Sequence, residues 1–149
     1  MDMTDLGIGI VGGGYMGKAH AVAMSAVGAV FNTKLRPKLR AVAANSITSA
    51  TGYQSAYGFE KACASWEDLV ADPGVEAVVI ATPQSMHRLV AEAAFALGKP
   101  VLCEKPLAAN LDDARAMVAA ADAAGVINMI GFNYIRTPAS QFARRLIQE

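Results

Sequence analysis

Cysteine is scarce in this 149-residue sequence, which has only Cys63 and Cys103. Two such widely separated residues cannot form a disulfide framework or a zinc site, because both need several closely spaced groups. We therefore interpret both as buried free thiols. Histidines and carboxylates at metal-ligand spacing are also missing, as is a Gly-x-Ser-x-Gly nucleophile motif. The sequence accordingly predicts no metal site and no hydrolytic serine.

An excess of one charge and long apolar runs are likewise missing. Thirteen Lys and Arg residues balance thirteen Asp and Glu residues, so no basic field favours nucleic acid or an anionic membrane surface. Apolar residues make up 54% of the chain, but the longest runs have the length of a strand, and no membrane span is expected. The opening residues do not have the pattern of a secretory leader, which predicts a cytoplasmic location.

The most informative motif present is glycine-rich. A short apolar strand at residues 8–11 leads into Gly12-x-Gly14-x-x-Gly17, and a helical pattern follows. Gly12 would allow a tight turn, Gly14 would let the backbone approach a pyrophosphate, and Gly17 would let helix and strand pack closely. Phosphates would bind the free N–H groups where the helix begins, near Tyr15 and Met16. Glycine clusters also form ordinary loops, but this position between strand and helix favours a dinucleotide site.

Strand and helix patterns alternate along the whole chain, which predicts an α/β fold with a doubly wound parallel sheet. Strands are predicted near residues 8–11, 39–44, 61–64, 75–81, 100–103 and 126–130. The helix before Gly98 has an apolar stripe at Met86, Leu89, Val90, Ala93, Ala94 and Leu97, and Gly28 is placed to end the first helix. Ligands of such sheets bind beyond the carboxyl ends of the strands. Residues 12–17, 44–46, 82–87, 104–106 and 131–134 follow five of these ends.

Four motifs in this order resemble the N-terminal half of the Gfo/Idh/MocA oxidoreductases. They are Gly12-x-Gly14-x-x-Gly17 with Lys18-Ala19-His20-Ala21, Ala81-Thr82-Pro83-Gln84-Ser85-Met86-His87, Glu104-Lys105-Pro106-Leu107 and Gly131-Phe132-Asn133-Tyr134. The resemblance implies a Rossmann-type dinucleotide-binding domain at residues 1–137. It also implies that residues 138–149 begin a helix leading to a second α/β domain, absent from this chain, which supplies most substrate contacts and a homo-oligomer interface.

The activity implied by the resemblance is that of an NAD- or NADP-dependent dehydrogenase acting on a sugar, inositol or related polyol. In the family the lysine of the Glu-Lys-Pro motif lies beside nicotinamide and substrate, which assigns Lys105 as catalytic. An ammonium near the substrate hydroxyl can stabilise developing alkoxide or relay its proton. Glu104 is expected to hold Lys105 by charge, and Pro106 to fix the backbone with a cis bond before it.

The resemblance assigns further residues to the cofactor site. Thr82, Pro83, His87 and Glu104 belong to this set, together with Lys105. Gln84 stands where the family more commonly has Asn, so this amide would reach the cofactor differently. We expect His87 to cap or pack near the pocket rather than transfer protons, and His20 to pack beneath the glycine turn.

A missing acidic residue bears on the choice between NAD and NADP. NAD-binding domains usually place Asp or Glu at the end of the second strand to bind the ribose hydroxyls. No acidic residue occurs between Asp5 and Glu60, and the expected position falls at Ala44 or Asn45, before Ser46. Basic residues precede it at Lys34, Arg36, Lys38 and Arg40. This slightly favours NADP, although Asn45 and Ser46 can also bind a plain ribose.

Two other functions stay open at this point. The chain can belong to a nucleotide-sensing or scaffold protein without turnover, or to the family members that use NAD transiently to cleave glycosidic bonds. We expect these 149 residues alone to bind a dinucleotide but to turn over little, because substrate contacts would be missing. Apolar surface is expected near residues 127–135 and on the terminal helix.

Overall fold

The computed structural model describes residues 3–149 as a six-stranded parallel sheet covered by helices on both faces. The strands are β1 Thr4–Val11, β2 Leu35–Ala43, β3 Lys61–Cys63, β4 Ala77–Ile80, β5 Val101–Cys103 and β6 Asn128–Ile130. The helices are α1 Tyr15–Val30, α2 Ile47–Tyr57, α3 Trp66–Ala71, α4 His87–Ala96, α5 Leu111–Ala124 and α6 Pro138–Gln148, with 3-10 turns at Gln84–Met86 and Asn133–Arg136. The order β3-β2-β1-β4-β5-β6 confirms the predicted doubly wound α/β fold.

The strand order reverses next to β1, which pairs with β2 on one side and β4 on the other. The carboxyl ends of the strands are level there. Gly12 N–H donates to the Ala43 carbonyl at 2.8 Å and Ala81 N–H to the Val11 carbonyl at 2.8 Å. Glu104 N–H continues this row by donating to the Ile80 carbonyl at 2.9 Å. Ligands of such folds bind at this switch point.

Alternate strand residues belong to two apolar cores on opposite faces of the sheet. Ile10, Val42 and Val79 pack on the face covered by α1 and α2. Their chain neighbours, such as Val11 and Ile80, pack on the face covered by α3, α4 and α5. Burial on both faces explains why the central strands are continuous apolar runs.

Several helix ends have capping residues. The side chains of Ser65 and Asn110 accept hydrogen bonds from the third N–H of α3 and α5. Gly98 and Gly125 have φ of 66° and 62°, which suits a glycine after a helix. Gly28 was expected to end α1, but the helix continues to Val30.

Two further expectations were wrong. β2 begins at Leu35 rather than residue 39, because residues 35–38 extend the pairing with β1 through a half-exposed, mixed-polarity stretch that lacks an apolar pattern. Leu89 of α4 and Leu97, which caps it, are exposed, at 52% and 55%. The buried stripe is rotated from the one predicted and consists of His87, Val90, Ala91, Ala94 and Phe95.

Within residues 3–149, no helix has both the length and the apolar character needed to cross a membrane. The same part of the chain has no group of three or more His, Cys, Asp or Glu side chains that could hold a metal ion.

Candidate functional site

Gly12 in the turn between β1 and α1, and Gly17 in the first turns of α1, leave no room for a side chain beside the backbone that they approach. Gly12 has φ of 112°, and a β-carbon there would overlap the Ala81 carbonyl. A β-carbon on Gly17 would overlap the Gly12 carbonyl oxygen. Gly12 therefore permits the turn and Gly17 the close approach of α1, as the sequence predicts.

Gly14 differs from both, because no atom lies within 4 Å of the position that its β-carbon would occupy. It is the N-cap of α1 and gives the helix no side-chain cap, and its carbonyl accepts the first helical hydrogen bond from Lys18 N–H at 3.1 Å. The backbone N–H groups of residues 15–17 come before this first bond, so they have no carbonyl partner within the helix. By contrast, side chains cap α2, α3, α5 and α6. The start of α1 thus offers N–H donors and a positive dipole to an anion.

A cavity of about 860 Å³ opens at this turn. Four strand ends contribute to its wall, together with Tyr53 of α2 and Met86 of the 3-10 turn. The strand-end residues include Gly12 to Met16, Ala44 and Asn45, Ser65 and Trp66, and Thr82 and Pro83. Its volume lies in the range that holds a cofactor or other small ligand.

Thr82 brings an unsatisfied polar group to the cavity wall. Its hydroxyl is buried and has no hydrogen-bond partner among the described residues. A buried polar atom usually has a partner, because leaving it unpaired costs about 1–3 kcal/mol. A ligand in the cavity can supply that partner.

Ala44 and Asn45, where β2 ends, form one part of the cavity wall. Ser46 accepts a hydrogen bond from Ser49 N–H at 3.1 Å as the cap of α2 and is outside the cavity lining. The four basic residues do not gather at this end, because β2 is longer than predicted. Arg36 and Lys38 pair with Asp5 and Gly7 of β1, toward the amino ends of the strands and away from the cavity.

Lys105 follows β5 at the carboxyl ends of the strands, as the glycine turn does at the end of β1. Ile80 pairs with Cys103, so Lys105 comes level with Thr82 on the neighbouring strand. Adjacent strands lie about 4.8 Å apart, which puts the backbones of Gly12 and Glu104, two strands apart, at about 10 Å. The Lys105 side chain is exposed, and the Lys105–Pro106 peptide bond is cis as expected.

Glu104 does not hold the Lys105 ammonium by charge, contrary to expectation. Its carboxylate turns inward, where Oε1 lies 2.8 Å from His20 Nε2. Its other oxygen accepts from the backbone N–H of Lys105 at 3.2 Å. His20 was expected only to pack beneath the turn, so this hydrogen bond was missed.

His87 lies behind the cavity wall rather than in it. The residue is 1% exposed, and its ring nitrogens lie 3.0 Å from the Thr82 carbonyl and 3.1 Å from the Leu107 carbonyl. Both nitrogens are therefore committed to the protein interior, which agrees with the expected packing role. Any effect of His87 on a ligand is exerted through Thr82 or Leu107.

Cys103, at the end of β5, is buried, and this burial raises the pKa of its thiol to about 12. The thiolate is the nucleophilic form of cysteine. Cys103 is thus a packing residue, as interpreted from the sequence.

The structure brings seven of the predicted site residues together around the cavity and leaves five outside its lining. Those that line it are Gly12, Gly14, Tyr15, Met16, Asn45, Thr82 and Pro83. Those outside are Gly17, Ser46, His87, Glu104 and Lys105. Sequence reasoning missed Tyr53 and Trp66, and it included Met86 only as part of the 82–87 segment. Trp66 lies just beyond the end of β3, so the rule that ligands bind at strand ends would have found it.

The fold and this cavity together define an α/β domain of the Rossmann type. Residues 6–132 match a protein-family model described as "Oxidoreductase family, NAD-binding Rossmann fold". The chain therefore belongs to the Gfo/Idh/MocA family of oxidoreductases.

Individual relatives agree with this assignment. Levoglucosan dehydrogenase of Pseudarthrobacter phenanthrenivorans is 36% identical over 99% of this chain and 38% of its own length. A solved structure of levoglucosan dehydrogenase in complex with NADH superimposes with a TM-score of 0.94, covering 97% of this chain and 39% of that one. An NAD-binding oxidoreductase from Klebsiella pneumoniae is 42% identical, with a TM-score of 0.92, over 97% of this chain and 39% of that chain.

A reductase also matches. The 1,5-anhydro-D-fructose reductase of Ensifer adhaerens is 45% identical over 67% of this chain and 30% of its own length. The chain thus spans less than two-fifths of the length of these relatives.

Proposed function

We propose that this chain binds a nicotinamide dinucleotide in the cavity at the glycine turn. The observation that carries the proposal is the start of α1, where uncapped N–H donors meet the open space beside Gly14. The diphosphate would bind these N–H groups, and the unpaired Thr82 hydroxyl would donate to or accept from the cofactor. The relative with NADH bound in its structure supports the choice of ligand.

We further propose that the chain is the cofactor-binding part of a dehydrogenase that acts on a hydroxyl group of a sugar or polyol. A bound nicotinamide supplies hydride exchange with a carbinol carbon. Lys105 would stabilise negative charge on the substrate oxygen and relay its proton, since its side chain is exposed at the edge where the cavity opens. Levoglucosan and anhydrofructose appear in the names of the relatives, which favours this substrate class.

The remaining substrate contacts would come from protein outside these residues. Exposed apolar side chains mark a surface for it, including Ile127 at 81%, Phe132 at 51% and Ile147 at 85%. We propose that this surface, with α6 as connector beyond residue 137, packs against a substrate-binding domain through which the protein forms homo-oligomers. On this view the 149 residues alone bind dinucleotide without appreciable turnover. Saturable reduction of NAD or NADP by levoglucosan on this chain alone would contradict that view.

For the coenzyme, we propose that the site accepts NAD and NADP with affinities within about tenfold of each other. No carboxylate at Asn45 repels a 2′-phosphate, which keeps NADP acceptable. The basic residues once expected to favour NADP lie elsewhere, and Ser46 is engaged as a helix cap. The slight preference predicted for NADP then depends only on the absence of a carboxylate at position 45, where the chain has Asn45.

Fluorescence of the only tryptophan provides the binding test, because Trp66 lines the cavity. Energy transfer from Trp66 to NADH or NADPH should rise saturably with either coenzyme. Asn45→Asp should weaken NADPH binding at least tenfold and leave NADH binding intact. Asn32→Asp, the same change in an exposed loop outside the cavity lining, should alter neither. Absence of saturable transfer with both coenzymes would overturn the proposed function.

Reductive methylation tests the place of Lys105. Bound dinucleotide should slow labelling of Lys105 several-fold, because the nicotinamide end would lie beside it. Lys34 is also exposed, but it precedes β2 at the amino ends of the strands, so its labelling should not change. Equal labelling of Lys105 with and without bound NADH would remove Lys105 from the site.

A further inference from the structure

The segment Glu104–Leu107, which carries Lys105, is held at both ends by histidine. His20 contacts its first residue and His87 contacts its last. These are the only two histidines of the chain. They come from α1 and α4, so the two contacts tie the segment to different parts of the fold.

The contact at the first end joins the segment to the helix of the glycine turn. Glu104 is 6% exposed, and its two oxygens are divided between His20 Nε2 at 2.8 Å and Lys105 N–H at 3.2 Å. A buried carboxylate needs such donors, because its desolvation is otherwise uncompensated. The same carboxylate therefore connects α1 to the backbone of Lys105 through two hydrogen bonds.

The contact at the other end joins the segment to the cavity wall. His87 Nδ1 lies 3.1 Å from the Leu107 carbonyl oxygen and Nε2 lies 3.0 Å from the Thr82 carbonyl oxygen, so the ring lies between these two backbone groups. The ring is nearly inaccessible to solvent, so water cannot replace either contact readily. His87 thus links the backbone of Leu107, two residues after Lys105, to the backbone of Thr82 in the cavity wall.

We propose that His20 and His87 are positioning residues for Lys105, and that the His20–Glu104 pair couples dinucleotide binding at the glycine turn to the Lys105 segment. The coupling rests on the proposed function. Binding of phosphates at the start of α1 restrains that helix, and His20, one turn further on, passes the restraint to Glu104 and on to the Lys105 N–H. Dinucleotide binding and the order of the Lys105 segment then reinforce each other.

The first experiment uses the free chain and needs no ligand. In ¹H–¹⁵N spectra, Glu104→Gln should shift the ring nitrogens of His20 and the amide of Lys105. Glu76→Gln is the matched control, since Glu76, just before β4, accepts from Gly7 N–H at 2.7 Å near the amino ends of the strands. That control should leave both signals in place. His87→Ala should shift Lys105 as well. Unmoved Lys105 and His20 signals in Glu104→Gln would overturn the positioning role.

The second experiment measures the coupling with NADH. Wild type should shift the Lys105 amide on saturation with NADH. His20→Ala should weaken NADH binding at least about fivefold and abolish that shift, while His20→Gln, which supplies an N–H at a similar reach, should restore both. A structural role alone would not be rescued together with the Lys105 signal. Should His20→Ala fail to fold, Glu104→Gln takes its place in the same titration.

The outcomes separate the two proposals. If NADH binds and His20→Ala or Glu104→Gln changes neither affinity nor the Lys105 response, the coupling is wrong and the proposed function stands. If wild type binds no NADH, the proposed function and the coupling fail together. The spectra of the free chain still decide whether the histidines position Lys105.

Discussion

The ring of Tyr53 occupies the space that a β-carbon on Gly13 would need. Tyr53 belongs to α2, and its ring also lies 5.6 Å from Lys18 Nζ, a cation–π distance. The middle glycine of the turn is thus required by packing between the glycine turn and α2. Gly14, its neighbour, has no such requirement from the protein itself.

Gly13→Ala should therefore destabilise the fold by about 1–3 kcal/mol, the usual cost of inserting a methyl group into a packed contact. Removing the ring by Tyr53→Ala should relieve that overlap. The double variant should then be more stable than the sum of the two single effects, by about 0.5 kcal/mol or more. Urea unfolding of the four proteins measures this coupling, and strictly additive effects would contradict the packing explanation.

Gly14→Ala should lower the free energy of unfolding by no more than about 1 kcal/mol, because the added methyl group meets open space and the remaining cost is that alanine is a poorer N-cap than glycine. It should nevertheless weaken NADH binding at least tenfold, since that space is where the diphosphate would approach the backbone. Trp66 energy transfer gives the affinity and thermal unfolding the stability.

Gly52→Ala is the matched control for this change. Gly52 lies inside α2 and also has open space at its β-carbon position. Alanine there should stabilise the chain by up to about 1 kcal/mol through its helix propensity and leave NADH binding unchanged. Equal affinity of the Gly14→Ala variant and wild type would exclude the diphosphate from the start of α1.

The fold was predictable because its signals are local. The apolar runs of β1 and β4, and caps such as Ser65 and Asn110, each depend on a few neighbouring residues. The amino-terminal half of β2 was missed because its pairing with β1 is made by mixed polar residues with no apolar pattern.

The site was predictable only in part, for a different reason. The glycine turn and Thr82 can be recognised in the sequence because each follows an apolar strand. The His20–Glu104 pair joins residues 84 positions apart, and only the sheet order brings α1 next to the end of β5. No spacing along the chain encodes that contact. The error over the basic residues has the other origin, the missed start of β2, because Arg36 and Lys38 lie in the stretch that pairs with Asp5 and Gly7 of β1.

Both cysteines should resist thiol reagents in the folded protein. Burial raises the pKa of Cys63, and it raises the pKa of Cys103 to about 12, so both provide less thiolate near pH 8 than an exposed cysteine. A disulfide reagent should label no thiol until guanidinium unfolds the chain, and two thereafter. Ser55→Cys, on the exposed side of α2, should add one rapidly reacting thiol as a positive control. Fast labelling of Cys103 in native wild type would show that the end of β5 is more open than the structure has it.

The loop after α3 should make stability depend on pH through Asp72. This carboxylate is 7% exposed and accepts from Lys61 Nζ at 2.7 Å and from Gly74 N–H at 2.8 Å. The Lys61 hydrogen bond, followed by that of Gly74, lowers the pKa of Asp72. The ionised form is thus favoured in the folded state. Its stabilisation is complete above the unfolded aspartate pKa of about 3.9 and is lost as the pH falls through the lower folded value.

Asp72→Asn should accordingly reduce the free energy of unfolding at pH 7 by about 1–3 kcal/mol. The difference from wild type should shrink once the pH is low enough to protonate the carboxyl group. Urea unfolding at pH 7 and pH 3 measures both values, with Asp122→Asn on the exposed side of α5 as control. The control should show little difference at either pH. A deficit of the Asp72→Asn variant that grows on acidification would mean that the folded state favours the protonated carboxyl, and that the Lys61 and Gly74 contacts do not stabilise the ionised form.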